Sequence, residues 1–180
     1  MSYEGLLLTP AGHITIEQAQ PSDLDTVLDI LEEAADWLSS RGIDQWQPGV
    51  FLRIRRQSIA DQVSRGEVYL AKRDGQTVGT LTLQWADKMF WGNVPDDAGY
   101  IHRLAIRKAY AGMELGRHLL QWAEGKVASA GRDYLRLDCM AENQALGQYY
   151  EQAGFTYRGE VRGEGWRASL YEKKITREAQ

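Results

Sequence analysis

The chain has 180 residues, of which 43% are hydrophobic and 26% are charged, a composition typical of a folded globular protein. This length fits one domain with one core, so we expect a single domain over residues 1–180 with its core at about 13–175. The formal net charge of −4 argues against a nucleic-acid-binding surface, which needs an excess of basic residues. It suits a cationic partner, or it serves solubility alone.

The sequence also argues against secretion and membrane insertion. Cys139 is the single cysteine, so no intrachain disulfide can form. Because it alternates with Leu135 and Leu137, we expect it in the core and not as a catalytic nucleophile. The apolar run Leu6–Leu8 is too short for a signal-peptide core, and no apolar run is long enough for a transmembrane helix. We therefore expect a cytoplasmic protein.

The apolar pattern of the first half predicts a strand, two helices and a hairpin. Ser22 with Asp25 forms a capping-box pattern at the start of the first helix. Asp74-Gly75 lies between two apolar runs, as is typical of a tight hairpin turn. In chain order the elements are a strand over His13–Gln20, helices over Pro21–Gly42 and Phe51–Ser64, and strands over Val68–Ala71 and Thr77–Trp85.

The second half predicts a loop over Asp87–Gly99 and then five further segments. These are a strand over Tyr100–Ile106, a helix over Gly112–Ala130, a strand over Tyr134–Cys139, a helix over Glu142–Ala153, and a hairpin of Phe155–Val161 and Trp166–Lys174. The unit Tyr100–Cys139 indicates a parallel strand pair with a right-handed crossover. The order β-α-α-β-β-β-α-β-α-β-β therefore predicts an α/β fold, with a mixed, mostly antiparallel sheet and helices on both faces.

The stretch Leu104–Arg117, LAIRKAYAGMELGR, carries the clearest chemical signal. A strand runs through a glycine-bearing turn into a helix. The first turn of a helix leaves backbone N–H groups unpaired and carries partial positive charge, so this end can bind phosphate. The turn matches neither the G-x-G-x-x-G spacing of dinucleotide-binding folds nor a P-loop. Gly112 and Gly116 could equally be packing glycines.

A second segment, NQALGQYYEQAGF, follows at Asn143–Phe155. Together the two segments resemble the GCN5-related N-acetyltransferases (GNAT). In that family a Leu-Ala-Val strand leads to an Arg-Gly-x-Gly-x-Gly turn and a long helix, and a later Asn is followed by Tyr seven residues on and then by Gly-Phe. The matching residues here are Leu104, Ala105, Ile106, Gly112, Gly116, Arg117, Asn143, Tyr150, Gly154 and Phe155. The resemblance implies a GNAT-like fold, in agreement with the predicted element order.

The resemblance implies an N-acetyltransferase that transfers acetyl from acetyl-CoA to a primary amine of a small molecule, peptide or protein. The amine would attack directly in a ternary complex, with acetyl-CoA as cosubstrate and no metal. Homodimers are common in this family, whereas neither nucleic acid nor membrane is an expected partner. The alternative is a non-catalytic acyl-CoA-binding or regulatory module on the same fold.

The family pattern also implies which residues bind the cofactor. Backbone groups of Leu104 and Ile106 would pair with the pantetheine arm, and Asn143 would hydrogen-bond it or cap the short helix. The implied set is Leu104, Ala105, Ile106, Ala111, Gly112, Met113, Glu114, Leu115, Gly116, Arg117, Asn143 and Tyr150. Two positions depart from the family: Ala111 replaces the usual Arg or Gln, and Glu114 replaces a Gly and brings a carboxylate near the pyrophosphate.

Tyr150 is the expected general acid, because a phenol near the sulfur can protonate the departing thiolate. The alternative is an ordinary half-buried aromatic residue of the helix. The general base stays open. Tyr100 stands where many relatives have Glu, and Asp96, Asp97 and His102 are nearby candidates that the sequence does not separate.

Overall fold

The computed structural model describes residues 3–176, which form eight strands and five α-helices. The strands are β1 (Tyr3–Thr9), β2 (Gly12–Gln18), β3 (Val68–Arg73), β4 (Gln76–Gln84), β5 (Ala98–Ile106), β6 (Tyr134–Met140), β7 (Thr156–Gly163) and β8 (Trp166–Lys174). The helices are α1 (Leu24–Ser40), α2 (Val50–Ser64), α3 (Lys88–Trp91), α4 (Leu115–Ser129) and α5 (Gln144–Gln152). The predicted class, a mixed and mostly antiparallel α/β sheet, is confirmed.

The chain divides into two compact units. The first contains the residues up to Thr82 together with Arg103–Trp122, and the second contains Leu83–His102 and the residues from Ala123 onward. The single domain expected from the chain length stays a prediction. Within residues 3–176, no helix combines the length and the apolar character that crossing a bilayer requires.

In the first unit, β1, β2, β3 and β4 follow one another as antiparallel neighbours. The α1 helix buries one apolar stripe because its apolar residues recur at helical spacing. The core of this unit consists of Ala19, Val27, Leu28, Ile30, Leu31, Ile59, Val63, Val68, Leu70 and Ala105. It therefore joins α1 and α2 to β3 and to the end of β5.

The start of α1 differs from the prediction. A single 3-10 turn, Pro21–Asp23, precedes the helix, and the Gln20 N–H donates to Asp23 Oδ2 at 2.8 Å. The capping pair is thus Gln20 and Asp23, so the predicted pair of Ser22 and Asp25 is wrong. Pro21 explains the shift, because its fixed φ and missing N–H suit the first position of a helical turn.

Strand β1 was not expected, since the predicted sheet begins at His13. It pairs with β2 in a hairpin in which Leu7 faces Ile14 and Thr9 faces Gly12. Leu6 and Leu8 are 66% and 75% exposed. A run of three leucines hides the alternation that identifies a half-buried strand, and only pairing with β2 reveals it.

In the second unit, β5 and β6 are parallel, as predicted, and β6, β8 and β7 are successive antiparallel neighbours. The segment Asp87–Gly99, which was expected to be a loop, contains the short helix α3. Asp87 begins it as an N-cap, accepting the Phe90 N–H at 3.2 Å. A four-residue helix carries too little apolar periodicity to be recognised in sequence.

Substitutions at two glycines can measure how tightly these elements pack. A Cβ on Gly79 of β4 would lie 3.0 Å from the Ala105 carbonyl oxygen, whereas nothing lies within 4 Å of a Cβ on Gly125 of α4. We expect Gly79→Ala to reduce the free energy of unfolding by about 1–3 kcal/mol. Gly125→Ala should raise it by roughly 0.5–1 kcal/mol, since alanine favours the helix. Urea unfolding measures both, and equal effects would contradict the packing described.

Candidate active site

The end of β5 and the turn after it form the first part of the site. The parallel ladder with β6 runs from Ala98↔Tyr134 to Ile101↔Leu137, and β5 continues to Ile106. Just beyond the ladder, Arg103 adopts a φ of +49°. A left-handed residue inside a strand bends it and redirects the backbone groups that follow.

The side chain of Arg103 is itself anchored. Its guanidinium donates a hydrogen bond to the Gln62 side chain of α2. Burial, helped by the charge of Arg55, lowers the pKa of Arg103 to about 10. The buried contact between Arg103 and Gln62 therefore holds the irregular backbone of β5 in place.

A brace from α1 fixes the segment after β5. Arg107 Nη1 donates to Glu33 Oε2 at 2.9 Å, and its Nε donates to the Thr77 carbonyl oxygen at 3.0 Å. The N–H of Lys108 donates to Glu33 Oε1 at 2.7 Å. Sequence reasoning missed this brace, because nothing local links Glu33 to a turn so far along the chain.

The turn then delivers the chain to the N-terminus of α4. Gly112 and Glu114 have φ values of +79° and +56°, and the helix begins at Leu115. The left-handed backbone at Glu114 explains why glycine would fit this position with less strain. The Glu114 side chain is 59% exposed and lies 3.8 Å from Arg117 Nη1, so its carboxylate reaches toward solvent.

In the second unit, Asn143 is the N-cap of α5. Its side-chain oxygen accepts the Leu146 N–H at 3.2 Å, which confirms the capping role considered from the sequence. Asn143 also lines a cleft of about 280 Å³ together with Cys139, Ser169 and Tyr171. The cap thus leaves Asn143 at the wall of a space that a ligand could enter.

Tyr150 lies on the same helix and is buried. Its ring centroid is 5.8 Å from that of Phe155 and 6.0 Å from that of Tyr171. Burial, followed by the influence of Cys139, raises the pKa of Tyr150 above its ordinary value. The phenol is therefore neutral at physiological pH and able to donate a proton or a hydrogen bond.

Cys139 is buried, as expected, in a strand whose Leu135 and Leu137 are buried as well. Burial and the nearby charge of Asp138 raise the pKa of the Cys139 thiol to about 12. A nucleophilic cysteine needs an accessible thiolate, so these surroundings fit a core residue.

The structure separates the candidate bases. Asp96 pairs with Arg132, and Asp97 Oδ1 lies 3.0 Å from Arg136 Nη1, so both carboxylates neutralise arginines. His102 instead lies between two carboxylates from other elements. Its Nε2 is 3.4 Å from Asp87 Oδ2, and its Nδ1 is 3.8 Å from Asp138 Oδ1.

We refer to Asp87, His102 and Asp138 as the DHD cluster. One candidate ligand atom from each residue lies within 4.8 Å of the others, so the cluster could hold a metal ion or another cation. The absence of a metal stays a prediction. Sequence reasoning named His102 but missed the two aspartates, because the register of β5 with β6 and the helix α3 bring them together.

The DHD cluster makes stability depend on pH. Burial, and then repulsion by Asp87, raises the pKa of Asp138 from 3.8 to about 7. A folded-state pKa above the unfolded one favours folding at low pH, and this contribution is lost as the pH rises from about 4 to about 7. We expect Asp138→Asn to gain stability relative to wild type between pH 5 and pH 8, measured by urea unfolding. If the free energies of unfolding of the variant and of wild type differ by the same amount at pH 5 and at pH 8, this prediction is contradicted.

The two units together contain a mixed α/β sheet, a strand that bends after its parallel ladder, and a glycine-bearing turn that opens a long helix. Residues 31–155 match the family model described as "Acetyltransferase (GNAT) family". The chain therefore belongs to the GNAT acetyltransferase family, which confirms the resemblance seen in the sequence.

Individual relatives agree with this assignment. The chain is 32% identical over 162 residues to the "Uncharacterized N-acetyltransferase YesJ" of Bacillus subtilis (strain 168), with 87% of each protein covered. A GNAT-family acetyltransferase structure from Listeria monocytogenes 4b F2365 matches with a TM-score of 0.79 and 24% identity, covering 95% of this chain and all (100%) of that one. The PaiA N-acetyltransferase of Thermoplasma acidophilum, solved in complex with coenzyme A, matches with a TM-score of 0.69 and 19% identity over 89% of this chain and 98% of its own.

Proposed function

We propose that this protein transfers an acetyl group from acetyl-CoA to a primary amine of a small molecule, peptide or protein. The observation that carries the proposal is the path of the chain from the bent end of β5, through the left-handed Gly112 and Glu114, into the N-terminus of α4. That path ends in the first turn of α4, where backbone N–H groups have no carbonyl partner within the helix, which is the arrangement that binds phosphate. Family membership and a coenzyme A complex of a relative with the same fold support it.

In this proposal the backbone performs most of the cofactor binding. The C=O of Leu104 and the N–H and C=O groups of Ile106 pair with the pantetheine arm, and the N–H groups from Gly112 to Arg117 hold the pyrophosphate. The early end of the β5–β6 ladder supports the first assignment, because the β5 backbone groups that point away from β4 lose their strand partner beyond Ile101. The position of Asn143 on a cleft wall supports a contact with the pantetheine arm.

The chemistry is a direct attack of the amine nitrogen on the thioester carbon. The N–H of Leu104 polarises the thioester carbonyl. Tyr150 donates a proton to the departing thiolate, and burial, which raises its pKa, keeps the hydroxyl in the protonated form that can donate. A module that only binds acyl-CoA would need no proton donor at the sulfur, so Tyr150 distinguishes the two candidate functions.

Calorimetric titration with acetyl-CoA and with desulfo-CoA tests cofactor binding first. We expect both ligands to saturate the protein in the micromolar range, since the proposed contacts involve the pyrophosphate and the pantetheine arm and not the sulfur. An absence of binding at millimolar concentration would overturn the proposed function.

Glu114 gives a sharper test of the turn. Glu114→Gly removes a carboxylate near the proposed pyrophosphate site, and because this carboxylate is exposed and faces Arg117, we expect acetyl-CoA to bind only about twofold more tightly. Asp74→Gly is the matched control, because Asp74 also has a positive φ (+50°) but lies in the β3–β4 turn. Calorimetry should show unchanged affinity for the control. Unchanged affinity for Glu114→Gly would place the pyrophosphate elsewhere.

A further inference from the structure

Two carboxylate oxygens of the DHD cluster have no hydrogen-bond donor among the described residues. The Asp87 side chain is only 7% exposed, and its Oδ2 has no hydrogen-bond partner among the described residues. Asp138 Oδ1 also has no hydrogen-bond partner among the described residues. A buried carboxylate oxygen without a donor is costly, so two of them beside each other indicate a site built for a positively charged donor.

Three elements create this arrangement. Asp87 is fixed as the N-cap of α3, and the parallel register that pairs Tyr100 with Arg136 leads two residues later to His102 and Asp138. The two carboxylates then approach different nitrogens of the same imidazole, at 3.4 and 3.8 Å. Both distances are too long for strong hydrogen bonds, so the imidazole does not satisfy the two oxygens.

A primary ammonium group fits these acceptors. It carries three N–H donors in tetrahedral directions, so its hydrogen-bond acceptors sit roughly 4.6 Å apart. No two ligand atoms of the DHD cluster are more than 4.8 Å apart, so one ammonium group can reach more than one of them. A tetrahedral zinc ion would hold its ligands roughly 3.3 Å from one another, and His102 Nε2 lies 3.4 Å from Asp87 Oδ2, so a metal ion is the competing occupant that the test must distinguish.

The short helix that Asp87 caps also supplies an aromatic side chain that an organic cation could use. Phe90 lies in α3, three residues after the N-cap Asp87, and its ring centroid is 5.5 Å from that of Trp166. Trp166 is 37% exposed, so an aromatic surface remains available to a ligand. Aromatic faces attract ammonium groups and cover the carbon chains attached to them.

We propose that Asp87, His102 and Asp138 bind the protonated amine of the acetyl acceptor, with the carboxylates as hydrogen-bond acceptors and His102 as the proton acceptor. This inference rests on the proposed acetyl transfer. It defines the substrate class as a primary amine that is charged in solution and carries an apolar or aromatic group.

The proton balance follows from this assignment. The bound R–NH₃⁺ gives one proton to the His102 imidazole, which passes it to solvent, and the free amine forms the C–N bond as the C–S bond breaks. Tyr150 gives its proton to the departing thiolate. The second proton leaves nitrogen as the amide forms, and it restores the proton that Tyr150 has lost. R–NH₃⁺ and acetyl-CoA thus yield R–NH–CO–CH₃, CoA–SH and H⁺. His102 lies two residues before Leu104 along the chain, the residue assigned to the thioester carbonyl.

The test uses 2-phenylethylammonium chloride as the probe, titrated by calorimetry into the full-length protein. We expect saturable binding, and at least about tenfold weaker binding by Asp87→Asn and by Asp138→Asn, since each loses a charge-assisted hydrogen bond. Glu164→Gln, a change at an exposed turn residue, is the control for the loss of one negative charge and should bind as wild type does. The neutral analogue 2-phenylethanol should not bind measurably.

Several outcomes would overturn the inference. These are equal probe affinity in wild type and both aspartate variants, equal binding of the alcohol, no probe binding at about 10 mM, and zinc chloride binding that excludes the probe. Circular dichroism checks that each isosteric variant is folded. Acetyl-CoA titration of the same samples separates the two proposals: if acetyl-CoA does not bind wild type, the proposed function fails, whereas intact acetyl-CoA binding with unaltered probe affinity in the variants refutes the DHD site alone.

Discussion

Arg136→Ala is expected to lower the free energy of unfolding by about 3–5 kcal/mol, because it removes a buried guanidinium and takes a partner from the partly buried carboxylates of Asp97 and Glu172. Arg136 is 5% exposed. Its Nε donates to Glu172 Oε2 at 2.7 Å, and its Nη1 donates to Asp97 Oδ1 and to the Tyr100 hydroxyl, each at 3.0 Å. The guanidinium also lies over the Trp91 ring, 5.1 Å from its centroid.

Urea unfolding followed by circular dichroism measures this loss. Arg162→Ala is the control, since Arg162 also pairs with a glutamate, Glu160 at 2.7 Å, but its side chain is 71% exposed. Exposed pairs contribute little, so the control should change stability by less than about 0.5 kcal/mol. Adding Glu172→Gln to Arg136→Ala should recover part of the loss, because it removes a charge whose remaining partner, Arg158 at 3.4 Å, is exposed. Additive destabilisation in the double variant would show that lost packing, and not the charge left on Glu172, dominates.

Tyr150→Phe is expected to reduce kcat for acetyl transfer by about 10²–10⁴-fold while acetyl-CoA affinity stays near that of wild type. The phenylalanine ring retains the contacts with Phe155 and Tyr171, so only the hydroxyl is lost. Thiol release measures kcat, using the primary amine that gives the highest rate in an acceptor screen. Calorimetry measures acetyl-CoA affinity.

Tyr149→Phe is the matched control, because Tyr149 is the neighbouring tyrosine on the same helix. Its ring centroid lies 5.5 Å from that of Tyr150. It should retain most of the wild-type kcat. Retained turnover in Tyr150→Phe would remove Tyr150 from the mechanism, and saturable acetyl-CoA binding without acetylation of any amine would favour the binding-module alternative.

These predictions concern different kinds of structural information. The contacts of Arg136 and of the DHD cluster depend on strand register, which no local pattern in the sequence predicts. The three bases considered from the sequence looked equivalent, yet Asp96 and Asp97 pair with arginines while His102 faces two aspartates. Partner choice of this kind is decided by which strands and turns lie side by side.

The sequence by itself determined the features that depend on neighbouring residues. Asp74-Gly75 predicted a hairpin turn, and both residues adopt positive φ. The strand, turn and helix from Leu104 to Arg117 indicated the family because backbone conformation there follows from the order of a few residues. The parallel pairing of β5 with β6 followed from the helix between them, since a crossover of that length permits little else.

The tertiary structure decided what depends on residues far apart in sequence. It added β1, whose leucines show no strand alternation until they pair with β2, and α3, which is too short to have a period. It joined Asp87, His102 and Asp138, and it braced the proposed phosphate turn through Glu33 and Arg107. Local propensity can fix a turn or a helix, but only packing and register choose which distant side chains meet.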